Sequence, residues 1–353
     1  MSGPRGDQFV RNAWYVAAWS SEIGRSLLAR KVLNQPLVFF RKLDGTPVAF
    51  VDRCPHKLAP LSRGEVIGDV LQCGYHGMQY DSSGRCVRVP GQPPIPPAAR
   101  VQSFPLHERY NAVWIWMGEP ERADPSLIID IPEHGDPKWG LVDGQYLHFA
   151  TNYLNLTDNL VDPAHTTYVH QRTIGNSGGE DVPVQVKHGD GHVVAYRWVT
   201  GAEPVPIMKA YGRFKGAVDR WQYYHLKLPS ISFVDFGATD AGSAMDEAAK
   251  HSAFRSFTYN FLTPETDRST HYFWSHLRNY AVGDQAVDAD IARLYTLTFE
   301  EDRDILAAIQ EQQDLTGVRE YVRLAIDQAP QRARLMIQRM IDAEQPAVQS
   351  AAS

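Results

Sequence analysis

Residues 54–76 place the tightest limit on this chain: Cys54-Pro55-His56, sixteen intervening residues, then Cys73-Gly74-Tyr75-His76. Each Cys and His lie close enough in sequence for one tight turn to present both side chains, so two turns can close four bonds on one inorganic centre. Two thiolates with two imidazoles is the set used where His₂ replaces Cys₂ on one iron of a [2Fe–2S] cluster. Structural zinc, the competing reading, ordinarily uses Cys-x2–4-Cys or His-x3–5-His arms rather than Cys-x-His. Charge explains the mixture. Two Fe(III) and two sulfides sum to plus two, so two thiolates and two neutral imidazoles leave the oxidised cluster uncharged, whereas four thiolates leave it at minus two. A less negative cluster takes an electron more readily, and mixed centres lie near about −150 to +300 mV against about −400 mV for plant-type ferredoxins.

The cluster motif needs only a small domain, and 353 residues suffice for two domains with a core each. At 43% hydrophobic and 22% charged, with net charge −6, the composition is that of a soluble protein and offers no basic footprint for nucleic acid. Met1–Gly6 is polar, and no apolar run approaches membrane-span length, so neither DNA nor membrane is an expected partner and a cytoplasmic location is expected. Three cysteines occur. With Cys54 and Cys73 as ligands, Cys86 stands alone, which excludes a disulfide framework and reads as a small packed residue.

Along the chain, Leu37–Leu43 and Pro47–Asp52 flank Asp44-Gly45, a hairpin signal that delivers the first ligand turn. A second hairpin, Val70–Tyr80 and Arg85–Val89 about the turn Asp81–Gly84, carries Cys73 and His76 just inside its strand. Pro90–Pro97 is too proline-rich for regular structure and reads as a stiff extended surface connection. Tyr110–Met117 reads as a closing strand, and the first domain is expected to span 1–120, leaving 121–353 for the second. After the Pro- and Gly-punctuated stretch Asp124–Gly144, Tyr153–Val161 has helical spacing. Asp162-Pro163 then interrupts it, because proline pushes the residue before it out of the helical region and suits the start of a new helix, which Asp162 can cap. Strands are expected at Val193–Thr200, Trp221–Leu228, Ile231–Phe236, Ser256–Leu262 and His271–Leu277, with a small-residue candidate mobile loop from Ala238 to Ala249. Asp288–Gln312 is the longest helical pattern, with Ile291, Leu294, Thr298, Asp302, Ile305 and Ile309 along one stripe and Glu300, Glu301, Arg303 and Asp304 largely outside it. Pro330–Glu344 reads as a last amphipathic helix, with Gln345–Ser353 frayed.

A carboxylate inside an apolar stripe is costly unless paired or metal-bound, which singles out Asp302. His165 and His170, five residues apart, would diverge by about 140° on an ideal helix, so they converge only if the break at Asp162-Pro163 bends the segment. Two such histidines and a buried carboxylate would make the 2-His-1-carboxylate triad that leaves open positions on Fe(II). On residue type alone, satisfied histidines and an Asp–Arg pair stay open as alternatives.

The spacing Cys54-x-His56-x16-Cys73-x2-His76 resembles the cluster motif of Rieske proteins, and Asn159-x2-Asp162-x2-His165-x4-His170 resembles the catalytic motif of the Rieske non-haem iron oxygenases. The resemblance covers nearly the whole chain and implies an α+β fold: an N-terminal all-β Rieske [2Fe–2S] domain, then a catalytic domain of antiparallel sheet with flanking helices. It implies His165, His170 and Asp302 as ligands of mononuclear Fe(II), with Asn159 close to the iron. It also implies Asp162 as the carboxylate joining His165 to His76 of a neighbouring subunit, hence a homo-oligomer, typically a trimer. Within the family, the phrase Asn152–His165 and the segment Leu262-Thr263-Pro264-Glu265-Thr266 resemble the vanillate O-demethylase group, whose relatives act on dicamba and on toluenesulfonate methyl groups.

The activity so implied is that of the oxygenase component of a multicomponent monooxygenase. A separate flavin/iron–sulfur reductase supplies NAD(P)H electrons, O₂ is co-substrate, and a methyl carbon of a small aromatic acid is hydroxylated, most simply by O-demethylation with release of formaldehyde. The alternatives are methyl or ring hydroxylation by the same machinery, an electron-transfer protein, and a zinc-stapled binding module. Tyr259, Asn260, His271 and Trp274, polar or aromatic residues on expected strands of the second domain, read as packing rather than substrate contacts. His107, His148 and His225 receive no role.

Overall fold

The computed structural model describes residues 9–92, 94–175, 181–243, 250, 253–318 and 322–345. The chain divides into two compact units, Met1–Ile128 with Thr263–Asp267, and Ile129–Leu262 with Arg268–Ser353. The first unit thus runs past Pro120. Two short turns, Pro120–Arg122 and Pro125–Leu127, stay with it because the Trp14 indole N–H donates to the Asp124 carbonyl at 2.8 Å. Thr263–Asp267 also belongs to it: Leu33 and Asn34 N–H donate to the Pro264 and Glu265 carbonyls, and the Thr263 hydroxyl donates to Val16 O.

The first unit is all-β, with β1 (Trp14–Trp19), β2 (Leu28–Val32), β3 (Gln35–Arg41), β4 (Pro47–Val51), β5 (Glu65–Ile67), β6 (Val70–Gln72), β7 (Gln79–Tyr80), β8 (Cys86–Arg88), β9 (Leu106–Arg109) and β10 (Ala112–Trp116). They form antiparallel sheets ordered β1-β10-β9, β2-β3-β4 and β5-β6-β7-β8. The β3–β4 hairpin turns where Asp44-Gly45 predicts: Gly45 has φ +85°, and the Asp44 carboxylate accepts from Thr46 N–H. Tyr110 leaves the expected closing strand. It and Asn111 both have positive φ, 58° and 57°, and form the two-residue turn between β9 and β10, so the strand proper is β10. The described residues of 90–97 form no helix or strand.

The second unit contains β11 (Gly140–Phe149), α1 (Tyr153–Leu160), α2 (Thr166–Val169), β12 (Gln185–Gly189), β13 (His192–Ala202), α3 (Pro206–Tyr211), β14 (Val218–Lys227), β15 (Ile231–Asp240), β16 (Phe254–Thr266, its last residues lying in the first unit), β17 (Ser269–Arg278), α4 (Gln285–Thr316) and α5 (Gln328–Glu344). Its seven strands form one antiparallel sheet, β11-β17-β16-β15-β14-β13-β12. Sequence reasoning anticipated five of them but not β11 or β12. β11 carries a register shift between Val142 and Gln145 with Gly144 at φ +72°, which breaks the alternation of two. β12 is a short, largely exposed polar strand at the sheet edge. The start of the expected mobile loop is instead strand, since Ala238 is fully buried and pairs with Arg220. Residues 244–249 of that loop and 346–353 of the frayed tail lie outside the described residues.

One face of this sheet packs on helices: Leu262, Tyr272 and Trp274 share a core with Leu156 and Leu160 of α1 and with Val287, Ile291, Phe299 and Leu306 of α4. The buried seam of α4 differs from the expected stripe beyond Asp302. Leu306 and Gln310 are buried, whereas Ile305 and Ile309 are 45% and 40% exposed. Polar Gln310 lies in the seam because its carbonyl accepts from Asn152 N–H ahead of α1. α5 closes on α1 through Arg334, whose guanidinium forks onto the Asp158 carboxylate at 2.7 Å. These ties fix α1 against the helix that carries Asp302.

The Asp284 carboxylate starts α4 by accepting from Ala286 and Val287 N–H, and Gly317, left-handed at φ +69°, ends it. Asp284→Ala is expected to cost about 1 kcal/mol of stability, read as a lowered thermal midpoint with the cluster absorbance unchanged at low temperature. Among the described residues no helix is long and apolar enough to cross a membrane.

Candidate metal centres

The two ligand turns have the same internal geometry. Cys54 N–H donates to Ala59 O while its carbonyl accepts from Leu58 N–H; Cys73 N–H donates to Met78 O while its carbonyl accepts from Gly77 N–H. Leu58 and Gly77 occupy equivalent left-handed positions, φ 59° and 69°. Cys73 and His76 therefore sit in the turn joining β6 to β7, not inside a strand as the sequence suggested. A tight turn lets both side chains point the same way, which a strand, with its alternation, does not. The sulfurs are buried, with Cys54 and Cys73 at 2% and 1% exposure, while His56 and His76 are exposed and their rings lie 4.7 Å apart.

Burial pushes the Cys73 thiol up, and the Tyr75 and His76 N–H groups, donating to its sulfur, pull it back. Donors aimed at sulfur favour a bound thiolate, so this set of two buried thiols and two surface imidazoles fits a His₂Cys₂ cluster. Tyr80, fully buried, brings its hydroxyl to 3.2 Å from Cys54 Sγ. Burial, with Cys54 alongside, holds that phenol well above its ordinary pKa, so it stays protonated and donates. A hydrogen bond to a ligand sulfur favours the more negative, reduced cluster. Tyr80→Phe is expected to lower the midpoint potential by on the order of 60 mV, a tenfold change for one electron. Redox titration checks this, and an unchanged potential would remove Tyr80 from the tuning set. Cys86 is buried with its thiol against Arg88 O at 3.3 Å, a packed residue as expected.

In the second unit, the break at Asp162-Pro163 does what the spacing of His165 and His170 requires. α1 ends at Leu160, the chain turns, and the single turn of α2 places His165 at its start and His170 at its end, with ring centroids 5.1 Å apart. Asp302 enters from α4. Its Oδ1 lies 3.6 Å from His165 Nε2 and 3.4 Å from His170 Nε2. One ligand atom from each of the three residues lies within 4.8 Å of the others.

The opposite ring nitrogens are already engaged. His165 Nδ1 bonds the Asp162 main-chain carbonyl, and His170 Nδ1 lies 3.1 Å from the Glu301 carboxylate. Both Nε2 atoms are thereby directed at the space beside Asp302, the arrangement of a metal-binding imidazole with an outer partner. Asn159 Nδ2 donates to Asp302 Oδ1 at 3.0 Å, and its own Oδ1 is buried without a protein partner among the described residues. Burial pulls the His165 imidazole below its ordinary pKa. At His170 burial acts in the same direction, but the carboxylates of Asp302 and Glu301 overcome it and hold the group above. Two imidazoles and a carboxylate facing one another on one side fit an iron with open positions.

Asp162 differs in detail from the implied arrangement. Its carbonyl, not its carboxylate, holds His165, while the carboxylate accepts from Ala164 N–H at 2.8 Å in the turn ahead of α2; the N-cap of α2 is His165, not Asp162 as the sequence suggested, and it has no side-chain cap. Sequence reasoning also missed Glu301, which it placed outside the buried stripe. The Glu301 side chain is only 8% exposed and accepts from the Thr173 hydroxyl at 2.7 Å as well as from His170. Its one legible signal was adjacency to Asp302 in Glu300-Glu301-Asp302. Tyr259 and His271 project to the sheet face opposite that of Asn260 and Trp274. His225 is on that opposite face too, stacked on Phe233 at 4.2 Å and pushed down to about 3 by burial and by His192, a packed neutral ring.

Known proteins match both units. Residues 13–105 match the Rieske [2Fe–2S] domain, and residues 149–343, more than half the chain, match the vanillate O-demethylase oxygenase C-terminal domain. The toluene-4-sulfonate monooxygenase system iron–sulfur subunit TsaM1 of Comamonas testosteroni is 35% identical over 341 residues, covering 95% of this chain and 98% of its own. The vanillate O-demethylase oxygenase subunit of a Pseudomonas species is 35% identical over 356 residues, covering 97% and 98%. The crystal structure of dicamba monooxygenase bound to 3,6-dichlorosalicylic acid superposes with a TM-score of 0.87 at 34% identity, covering 95% and 98%, and that enzyme is also known with its non-haem iron. With a Rieske cluster domain in front of a catalytic sheet that gathers two histidines and an aspartate, the chain belongs to the Rieske non-haem iron oxygenases, in the group with vanillate O-demethylase-type C-terminal domains.

Proposed function

We propose that this oxygenase O-demethylates a small methoxylated aromatic acid, drawing single electrons from a separate reductase fed by NAD(P)H. The observation that carries the reading is the buried triad His165, His170 and Asp302 in a chain that also bears the two Cys/His turns. Cys54, His56, Cys73 and His76 hold the cluster and the triad holds the mononuclear iron. When bound, the two centres supply single electrons and oxygen activation. The balance is one O₂, two electrons and two protons per methyl ether. One oxygen leaves as water, the other enters the methyl carbon, and the resulting hemiacetal breaks its C–O bond to give a phenol and formaldehyde.

The residues' part is positioning. Glu301 and the Asp162 carbonyl hold the His170 and His165 rings by Nδ1, and Asn159 fixes the Asp302 carboxylate. Tyr295, Phe299 and Trp274 form one aromatic cluster, with Phe299 a helical turn before Asp302 on α4. The exposed ring of His76 and the Asp162 carboxylate support a homotrimer in which Asp162 accepts from His76 of the partner subunit and links it, through its own backbone, to His165. A cytoplasmic location accords with this activity.

The toluenesulfonate relatives, as similar as the vanillate ones, favour a second reading: hydroxylation of an aryl methyl group without cleavage. Substrate-dependent oxygen uptake over methoxylated and methylated benzoates and sulfonates, with formaldehyde assayed, separates the two. Formaldehyde equal to oxygen consumed supports demethylation, and a retained benzylic alcohol supports the alternative.

A further inference from the structure

A single helical turn has little stability of its own, so the place of α2 is set by what holds its two ends. At the far end the Glu301 carboxylate of α4 holds the His170 ring. At the near end His165 is the N-cap and no side chain caps it. The turn before it has two engaged carbonyls. Asp162 O is bonded to His165 Nδ1, and Pro163 O accepts twice, from the Thr166 hydroxyl at 2.9 Å and from Arg197 Nη2 at 3.2 Å. A carbonyl oxygen has two lone pairs, so these two bonds saturate Pro163 O. The Thr166 bond is internal to the segment. The Arg197 bond comes from the sheet and ties the turn to a rigid element.

Arg197 is an unusual residue for its position. β13 sends Val193, Ala195, Arg197 and Val199 to one face, and all four are buried, Arg197 at 4% exposure. A guanidinium cannot shed its charge, so burying it is costly unless its donors are met. Nε donates to the Gln222 side-chain oxygen of β14 at 2.7 Å, across the Arg197–Gln222 strand pair. Gln222 therefore seats the base of the fork on the sheet, and Nη2 is carried out to Pro163 O. Two residues along β14 from Gln222, and so on the same face, Tyr224 is hydrogen-bonded to the Thr166 side chain, and burial pushes its phenol up to about 12, which keeps it neutral. The Arg197 charge acts on the Asp162 carboxylate as well. Asp162, Pro163 and Thr166, the neighbours of His165, all meet this one corner of the sheet.

We propose that Arg197 is a positioning residue for the mononuclear iron. By holding Pro163 O against the sheet it fixes the turn whose Asp162 carbonyl orients His165, as Glu301 fixes His170 from α4. The inference rests on the reading of His165 as an iron ligand. Pro163 O keeps its Thr166 bond when Arg197 is replaced, so substitution frees the turn without stranding that carbonyl.

Release of the mononuclear iron from the holoenzyme to ferrozine tests the assignment, with cluster absorbance, thermal midpoint and oxygen uptake read alongside. Arg197→Gln, too short to reach Pro163 O, and Arg197→Met, of similar length without donors, should each release that iron about tenfold or more faster than wild type, as for loss of an outer partner of a metal ligand. Oxygen uptake should fall in step, with the cluster absorbance intact. Arg197→Lys, which keeps reach, charge and one donor, should restore iron retention to within about threefold of wild type. Gln222→Leu, which unseats the guanidinium from its base, should speed release by about threefold and decides the matter if neither neutral variant folds. Lowered thermal midpoints with unchanged iron release would make Arg197 a packing residue and overturn the proposal, as would the absence of rescue by lysine. Rapid iron loss from His165→Ala with wild-type retention in the Arg197 variants overturns the inference alone. A His165→Ala enzyme that keeps the iron removes the ligand reading, and the inference with it.

Discussion

Asp302→Ala is expected to abolish oxygenation and release the mononuclear iron while the visible spectrum of the cluster persists. The carboxylate is the triad's only charged oxygen donor and belongs to a helix distant in sequence from both histidines, so no neighbouring group replaces it. Glu301 is occupied by His170 and Thr173. Asp304, two residues on, is 81% exposed and pairs with Arg303, as does Glu300. Asp304→Ala is accordingly the matched control, with activity and iron content within about twofold of wild type, as for a surface change. Iron analysis of both variants beside oxygen uptake decides the matter: an Asp302→Ala enzyme that kept the third iron and turned over would overturn the triad.

Glu301→Ala comes next in size. The carboxylate accepts from His170 Nδ1 and from the Thr173 hydroxyl in a buried setting. Its loss leaves both donors unpaired, at about 1–3 kcal/mol each, and frees the His170 ring to turn. Removal of such a partner typically costs about 10–100-fold in metal affinity or activity, and that range is expected here. Glu301→Gln, which preserves one acceptor, should fall in between. A purely structural role would lower the thermal midpoint without changing iron affinity; a positioning role weakens iron retention in proportion to activity.

Both donor sets could be read from the chain because their chemistry is local. Cys54-x-His56 and Cys73-x2-His76 each need only a single turn, and the break at Asp162-Pro163 is a backbone constraint that proline imposes whatever surrounds it. The five strands found in advance have clean alternation, while β11 and β12 were lost to a bulge and to polarity. The stripe on α4 failed past Asp302 because the buried side of a long helix is set by what packs on it. Gln310 is inside since Asn152, the N-cap of α1, offers a main-chain N–H to its side-chain oxygen, and Ile305 is left 45% exposed among the described residues.

Residue types and short spacings therefore nominated the donors, since a metal's demands on them can be stated without knowing the fold, and the resemblance of the two motifs to those of the Rieske non-haem iron oxygenases singled out His165, His170 and Asp302. Folding alone settled the surroundings: that a backbone carbonyl orients His165 and that Glu301 holds His170. The second joins residues 131 positions apart, and the first, though local, depends on how the chain turns after α1; neither is encoded in a local pattern of residue types.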